Sequence, residues 1–223
     1  MGKFFDALEP NHRDFIAKQK IYFVATSSLR QNTRVNVSPK GHESLRVDGN
    51  QVFHLDLTGS GAETIAHVTE NGRLTVMLCA FEGAPNIMRL WCKARVVLAK
   101  TPEFKTLMQK YYPSWIGQQG LRSIIVGDIF QVGTSCGYAV PYFDYVKPRD
   151  TLINWANKKT DAEMEEYWCT RNATSIDGLP NLGANGFDDA QRNWRRKLPS
   201  IQQTVLYTAL VATGVAIGIR LGH

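Results

Sequence analysis

Short apolar runs and polar turns alternate along the first 135 residues of the chain. Three runs predict strands: IYFVATSS (21–28), which is β-branched and aromatic, RVNVSP (34–39), and QVFHLDL (51–57), in which apolar and polar residues alternate. This period of two is typical of strands with one buried face. Since only the polar turn LRQNT separates the first two runs, they predict a β-hairpin.

Three longer apolar runs predict further strands: LTVMLCAF (74–81), NIMRLWCKARVVLA (86–99) and RSIIVGDIFQV (122–132). Two small helices lie between the strands. AETIAHVTEN (62–71) is followed by Gly72, which can terminate it, and TPEFKTLMQKYYP (101–113) is entered at Pro102 and stops before Pro113. Five or six strands with two small helices favour a β-barrel over a doubly wound α/β sheet.

The last third of the chain predicts helices and a loop. DTLINWANKK (150–159) and TDAEMEEYWCTRN (160–172) form two helices, the second opened by a capping box between Thr160 and Glu163. The Gly-, Asn- and Pro-rich segment that follows reads as a loop or linker. We therefore divide the chain into a barrel domain (1–180), a linker with a basic stretch (181–199) and a C-terminal hydrophobic helix (200–223).

The C-terminal segment predicts a membrane anchor. TVLYTALVATGVAIGI (204–219) contains sixteen residues without a charge, or about 24 Å of helix against a hydrocarbon core of about 30 Å. Basic residues precede the run, and Arg220 follows it and can snorkel. This layout indicates a tail anchor with the folded domain on the cytosolic side, as in the mitochondrial outer membrane or the peroxisome. The alternative is a buried helix.

The charge distribution and the cysteine spacing argue against a nucleic-acid interface and a zinc site. Of the formal net charge of +6, +3 lies in residues 188–223, which hold five Lys/Arg and two Asp. The remaining chain is only mildly basic, which argues against a nucleic-acid partner. The four cysteines are far apart and match no zinc-site spacing, so they predict reduced thiols and no metal site.

The turn at 58–61, Thr-Gly-Ser-Gly, leads directly into the first helix. A helix start presents unpaired N–H groups and a partial positive charge, and glycines let an anion approach the backbone. The alternative is purely structural, since Ser60 and Glu63 have the spacing of a capping box. Lys40, in the sequence SPKG at the end of a predicted strand, is either a solvated edge charge or a cation for a bound phosphate.

Several blocks in a fixed order make the chain recognisable: FVATSS, RVNVSPKG, LDLTGSGAETIAHVTENGRLTVMLCAFEG and MRLWCKARVV, then TSCGY (134–138) and RNATSIDGLP (171–180). This arrangement resembles the pyridoxamine 5'-phosphate oxidase-like family of FMN-binding split β-barrels, and within it a fungal and bacterial branch. The resemblance spans about residues 15 to 182.

The resemblance implies a six-stranded split β-barrel with peripheral helices, which pairs as a homodimer and holds FMN at the subunit interface. In this family the ends of the second and third strands and the start of the following helix bind the flavin phosphate. The matching positions here are Arg34, Asn36, Ser38, Lys40, Thr58, Gly59, Ser60, Glu63 and Thr64.

The chain departs from the true pyridoxamine phosphate oxidases. Those enzymes carry a Ser-Arg-Lys phosphate clamp where this chain has Glu63, Thr64 and Ile65. The resemblance thus implies an FMN-dependent oxidoreductase with another small-molecule substrate. The alternative is a non-catalytic module that binds or carries FMN or a related cofactor at a membrane. His67 and Cys136 are more typical of packing residues than of a catalytic base or a reactive thiol.

Overall fold

The computed structural model of the chain describes residues 2–182. Within this range the protein is mainly β, with one antiparallel sheet of eight strands and several helices around it. The strands are β1 (Lys3–Phe5), β2 (Tyr22–Ser27), β3 (Val35–Lys40), β4 (Leu45–Asp48), β5 (Gln51–Leu57), β6 (Arg73–Cys79), β7 (Ile87–Leu98) and β8 (Leu121–Ser135). The α-helices are α1 (Pro10–Lys18), α2 (Glu63–Asn71), α3 (Pro102–Tyr111), α4 (Thr151–Ala156) and α5 (Asp161–Arg171).

The strand order is β3-β2-β6-β7-β8-β5-β4, and β1 pairs with β8. Although three strands separate β2 from β5 in this order, the Tyr22 hydroxyl lies 2.7 Å from Nδ1 of His54. The sheet therefore curls enough to bring β2 next to β5, as the expected split barrel requires. The six strands expected from the sequence are all present, and the short strands β1 and β4 add two more in the described range.

The two longest strands form the centre of the sheet. β7 and β8 pair from Ile87 opposite Ser135 to Leu98 opposite Ser123, with a bulge between Trp91 and Cys92. Bulges increase the local twist and so help a sheet to curl. The curled sheet encloses a core that includes residues with almost no exposure, among them Val24, Leu55, Val76, Leu90, Ile125 and Val132.

Helix α2 packs against the sheet beside the predicted anion site. Ile65 and Val68 are buried, and Gly72 ends the helix in the left-handed conformation (φ 71°), as predicted. The proposed Ser60/Glu63 capping box is wrong, because the helix begins at Glu63 and no side chain caps it. The carboxylate of Glu63 instead accepts a hydrogen bond from the N–H of Ile176 at 3.2 Å.

The second predicted capping box is confirmed. The Thr160 hydroxyl accepts from the N–H of Glu163 at 3.3 Å, and the Glu163 carboxylate accepts from the N–H of Thr160 at 2.8 Å. This box opens α5, which leads to one wall of the candidate site.

The predicted linker beyond residue 182 and the predicted anchor (200–223) lie outside the described residues. Between residues 2 and 182, no helix combines the length and the apolar character needed to cross a bilayer.

Candidate functional site

A cavity of about 550 Å³ lies between β3, the start of α2 and the chain that follows α5. This volume falls in the range of small-molecule pockets. The residues around it are Arg34, Val35, Asn36, Val37, Ser60, Gly61, Glu63, Arg171, Thr174, Ser175 and Ile176. Four of the nine residues predicted from the sequence are therefore brought together here: Arg34, Asn36, Ser60 and Glu63.

Strand β3 contributes a row of polar side chains to this side of the sheet. Asn36 and Ser38 are paired with the buried Thr26 and Val24 of β2 and share their face. The Asn36 amide donates to the hydroxyls of Thr26 (3.1 Å) and Thr64 (3.3 Å), and it accepts from Ser38 at 2.9 Å. Ser38 and Thr64 thus orient Asn36 rather than line the cavity themselves.

Lys40 lies further along the same row, opposite Tyr22, and is not part of the cavity lining. The charge of Lys40 influences the pKa values of the buried His54 and Asp56 side chains. The pKa of His54 is lowered to about 4, chiefly by burial; Lys40 and Arg122 contribute to the lowering, while Asp56 opposes it. His54 is therefore neutral at physiological pH. Its ring links β5 to β2 through the hydroxyl of Tyr22.

The loop that precedes α2 is held through its carbonyl groups. Asn172, which has no exposed surface, donates its amide N–H groups to the carbonyls of Gly59 (3.1 Å) and Ser60 (3.4 Å). Arg122 donates to the carbonyl of Gly61 at 3.0 Å, and Asn181 donates to that of Ala62 at 2.8 Å. The carbonyl groups of residues 59–62 therefore all point towards the protein interior.

The N–H groups of the same loop point in the opposite direction to these carbonyl groups. In a trans peptide the N–H of one residue is antiparallel to the carbonyl of the residue before it, and the described chain has no cis peptide. The N–H groups of residues 60–63 therefore face away from Asn172 and Arg122, and none of them has a hydrogen-bond partner within residues 2–182. Ser60, Gly61 and Glu63 line the cavity. Such a nest of amides at a helix start favours an anion.

A buried ion pair supports the loop from below. Arg122 donates to both carboxylate oxygens of Asp56, at 2.8 and 3.2 Å, and to Asn172 Oδ1 at 2.8 Å. Burial alone would raise the pKa of the Asp56 carboxyl, but the guanidinium of Arg122 holds it below its usual range. Arg122, Asn172 and Asn181 were missed as site-shaping residues. Their partners lie far away in the sequence, and only the RNATSIDGLP block indicated that the segment after α5 has a specific role.

The segment after α5 closes the cavity. The backbone N–H of Arg34 donates to Asp177 at 2.8 Å, and the two side chains form an ion pair. Together with the bond from the Ile176 N–H to Glu63, this fixes the turn against β3 and α2. Val35, Val37 and Ile176 are 69%, 59% and 66% exposed, so the cavity has a polar interior and an apolar rim.

Thr58 and Gly59 do not line the cavity. The hydroxyl of Thr58 is buried and accepts from Trp168 Nε1 at 2.7 Å, while the Thr58 N–H donates to the carbonyl of Gly120 at 2.8 Å. These bonds anchor the beginning of the loop to α5 and to the residue that precedes β8. His67 is buried, with Nδ1 3.0 Å from the Thr26 hydroxyl, and Cys136 is exposed. Neither of the two lines the cavity.

Comparison with known proteins places this geometry in a family. The family model described as pyridoxamine 5'-phosphate oxidase matches residues 8–135. The chain belongs to the pyridoxamine 5'-phosphate oxidase family. A relative in this family, the pyridoxamine 5'-phosphate oxidase family protein ustO of Aspergillus flavus, is 36% identical over 210 residues, which cover 87% of this chain and 83% of the relative.

Similar solved structures are more distant. HupZ of Group A Streptococcus has a TM-score of 0.45 at 16% identity, covering 56% of this chain and 91% of that one. A FAD-binding protein of Mesorhizobium loti has a TM-score of 0.40 at 11% identity, covering 60% of this chain and 96% of that one. The family match includes β3 and the start of α2 but ends before the wall at 171–176.

Proposed function

We propose that this protein is an FMN-dependent oxidoreductase that acts on a small molecule other than pyridoxamine phosphate. The observation that supports this most directly is the set of unpaired N–H groups at residues 60–63 beside the cavity. A phosphate is a doubly charged ligand that such a nest suits. Family membership supports a flavin as the molecule that carries the phosphate.

The residues present fit the two ends of FMN. The N–H groups and the Ser60 hydroxyl would bind the phosphate, with Asn36 contributing its amide. Val35, Val37 and Ile176 at the rim offer apolar surface for the isoalloxazine ring. When bound, FMN supplies reversible hydride and electron transfer. The role predicted for Lys40 as a phosphate ligand stays a prediction.

We further propose that the protein is a homodimer. β3 lies at the end of the sheet and exposes Val35 and Val37. Exposed apolar residues on an edge strand promote aggregation unless another surface covers them. A second copy would cover this rim and enclose the ring.

A non-catalytic carrier of FMN or a related cofactor is the second candidate. The part of the cavity lining formed by residues 2–182 contains no histidine, cysteine, lysine or tyrosine, and Glu63 is its only carboxylate. That carboxylate already accepts the N–H of Ile176. The described lining is therefore poor in groups that donate or accept protons, which a carrier does not need.

Purified full-length protein separates these candidates. We expect it to copurify with a flavin that mass spectrometry identifies as FMN. NADH or NADPH should bleach the flavin absorbance, and air should restore it. A bound flavin that neither nicotinamide reduces would support the carrier, while a protein that never binds flavin would contradict both proposals.

For residues 200–223 we propose a membrane anchor. The full chain, expressed in eukaryotic cells, should sediment with membranes and resist carbonate extraction, because its apolar run would lie in the bilayer. A variant that ends at residue 199 should stay in the supernatant. Equal distribution of the two proteins would contradict the anchor.

A further inference from the structure

We propose that Arg171 is the cation that binds the phosphate group of the ligand, an inference that rests on the proposed flavin site. Arg171 is the last residue of α5 and lines the cavity together with Ser60, Gly61 and Glu63. It lies outside the range that the family model matches. Its guanidinium would complete a site whose other donors are neutral amides and hydroxyls.

The neighbouring residue fixes Arg171 beside the loop. Asn172 is fully buried, and its side chain donates to the carbonyls of Gly59 and Ser60 and accepts from Arg122. The backbone at 172 is therefore attached to the loop whose N–H groups of residues 60–63 face away from it. The backbone of Arg171 is therefore held next to this loop, and its side chain lines the same cavity as Ser60 and Gly61.

Of the two arginines in the described cavity lining, Arg171 is the one that forms no ion pair. The other arginine of the lining, Arg34, is neutralised by its ion pair with Asp177. The Glu63 carboxylate is engaged by the N–H of Ile176. Arg171 is exposed, and its side chain has no hydrogen-bond or ion-pair partner within residues 2–182. An arginine fork can bind two phosphate oxygens at once, which favours a phosphate over a neutral group.

A structural role for Arg171 makes a different prediction. A cation in the last turn of a helix stabilises that helix through the helix dipole. If this were its only role, replacing it would lower thermal stability slightly and would leave the preference for phosphorylated ligands unchanged. The comparison of FMN with riboflavin, which lacks the phosphate, separates the two roles.

The test uses full-length protein, freed of any bound flavin, and measures the Kd of FMN and of riboflavin by fluorescence quenching. Arg171→Gln should weaken FMN binding by about tenfold to a hundredfold and leave riboflavin binding within about twofold of the wild type. Arg171→Lys should recover part of the loss, because it restores the charge without the fork. Arg149→Gln removes an exposed arginine outside the cavity lining and serves as the matched control.

Other outcomes overturn the inference. If the wild type prefers FMN and Arg171→Gln keeps that preference, the phosphate lies elsewhere and the proposed function stands. Loss of the preference in Lys40→Ala alone would place the phosphate at Lys40. Equal weakening of both flavins by Arg171→Gln would indicate a structural role. A wild type that binds neither flavin would contradict the proposed function and this inference together.

Discussion

Replacing Arg122 by methionine is expected to lower the free energy of unfolding by about 3–5 kcal/mol. Arg122 and Asp56 are 3% and 1% exposed, so methionine would leave the Asp56 carboxylate buried without its cation. The change also removes the donors that hold Gly61 and Asn172. Urea denaturation followed by circular dichroism measures the loss.

Two further variants test whether the loss of stability comes from the buried ion pair. Arg95→Met breaks the exposed ion pair with Glu103 and should cost about 1 kcal/mol or less, because solvent screens that pair. The double variant Asp56→Leu/Arg122→Met should recover part of the loss, since no unpaired charge stays in the core. A loss below about 1 kcal/mol in Arg122→Met would contradict the role given to this pair.

Acid should destabilise the protein through His54 before it acts on Asp56. Burial lowers the pKa of folded His54 from 6.5 to about 4. Between these values the unfolded chain binds a proton that the folded chain does not. Stability from this group is therefore complete above pH 6.5, decreases as the pH falls towards 4, and changes no further below that. The difference corresponds to about 3 kcal/mol.

The pH dependence of unfolding, measured from pH 7.5 to 4 in urea, tests this expectation. His54→Gln should flatten the curve, and what slope is left should come in part from His67, whose pKa burial also lowers. Asp56 acts in a separate window. Its folded pKa lies below the usual value of 3.8, so its contribution is present above that pH and is lost only as the pH falls through the folded value. An unchanged slope in His54→Gln would contradict the assignment.

The long strands and α2, α3 and α5 could be predicted from the sequence because their apolar residues follow a visible period. The elements β1, β4 and α1 could not. β1 has three residues and is defined by its pairing with β8, more than 120 residues away. Helix α1 buries only His12 and Ile16 among nine mostly polar residues, so it shows no apolar face. Local patterns cannot reveal elements whose stability comes from distant partners.

The candidate site likewise contains features that could be predicted from the sequence and features that could not. The loop at 58–61 could be predicted because a helix start is a local feature, and the β3 side chains were implied by the family resemblance. The Ser60/Glu63 capping box failed because Glu63 bonds to Ile176, 113 residues further along the chain. The clamp formed by Arg122 and Asn172 could not be predicted either, since it depends on how the sheet curls and on where α5 ends.

The amide nest at residues 60–63 and the cavity beside it are proposed to bind a phosphorylated flavin. The most direct measurement is the ratio of the FMN and riboflavin dissociation constants for the full-length wild-type protein. We expect FMN to bind more tightly than riboflavin, by about tenfold or more, because riboflavin lacks the phosphate. Equal affinities, or no binding of either flavin, would contradict this proposal.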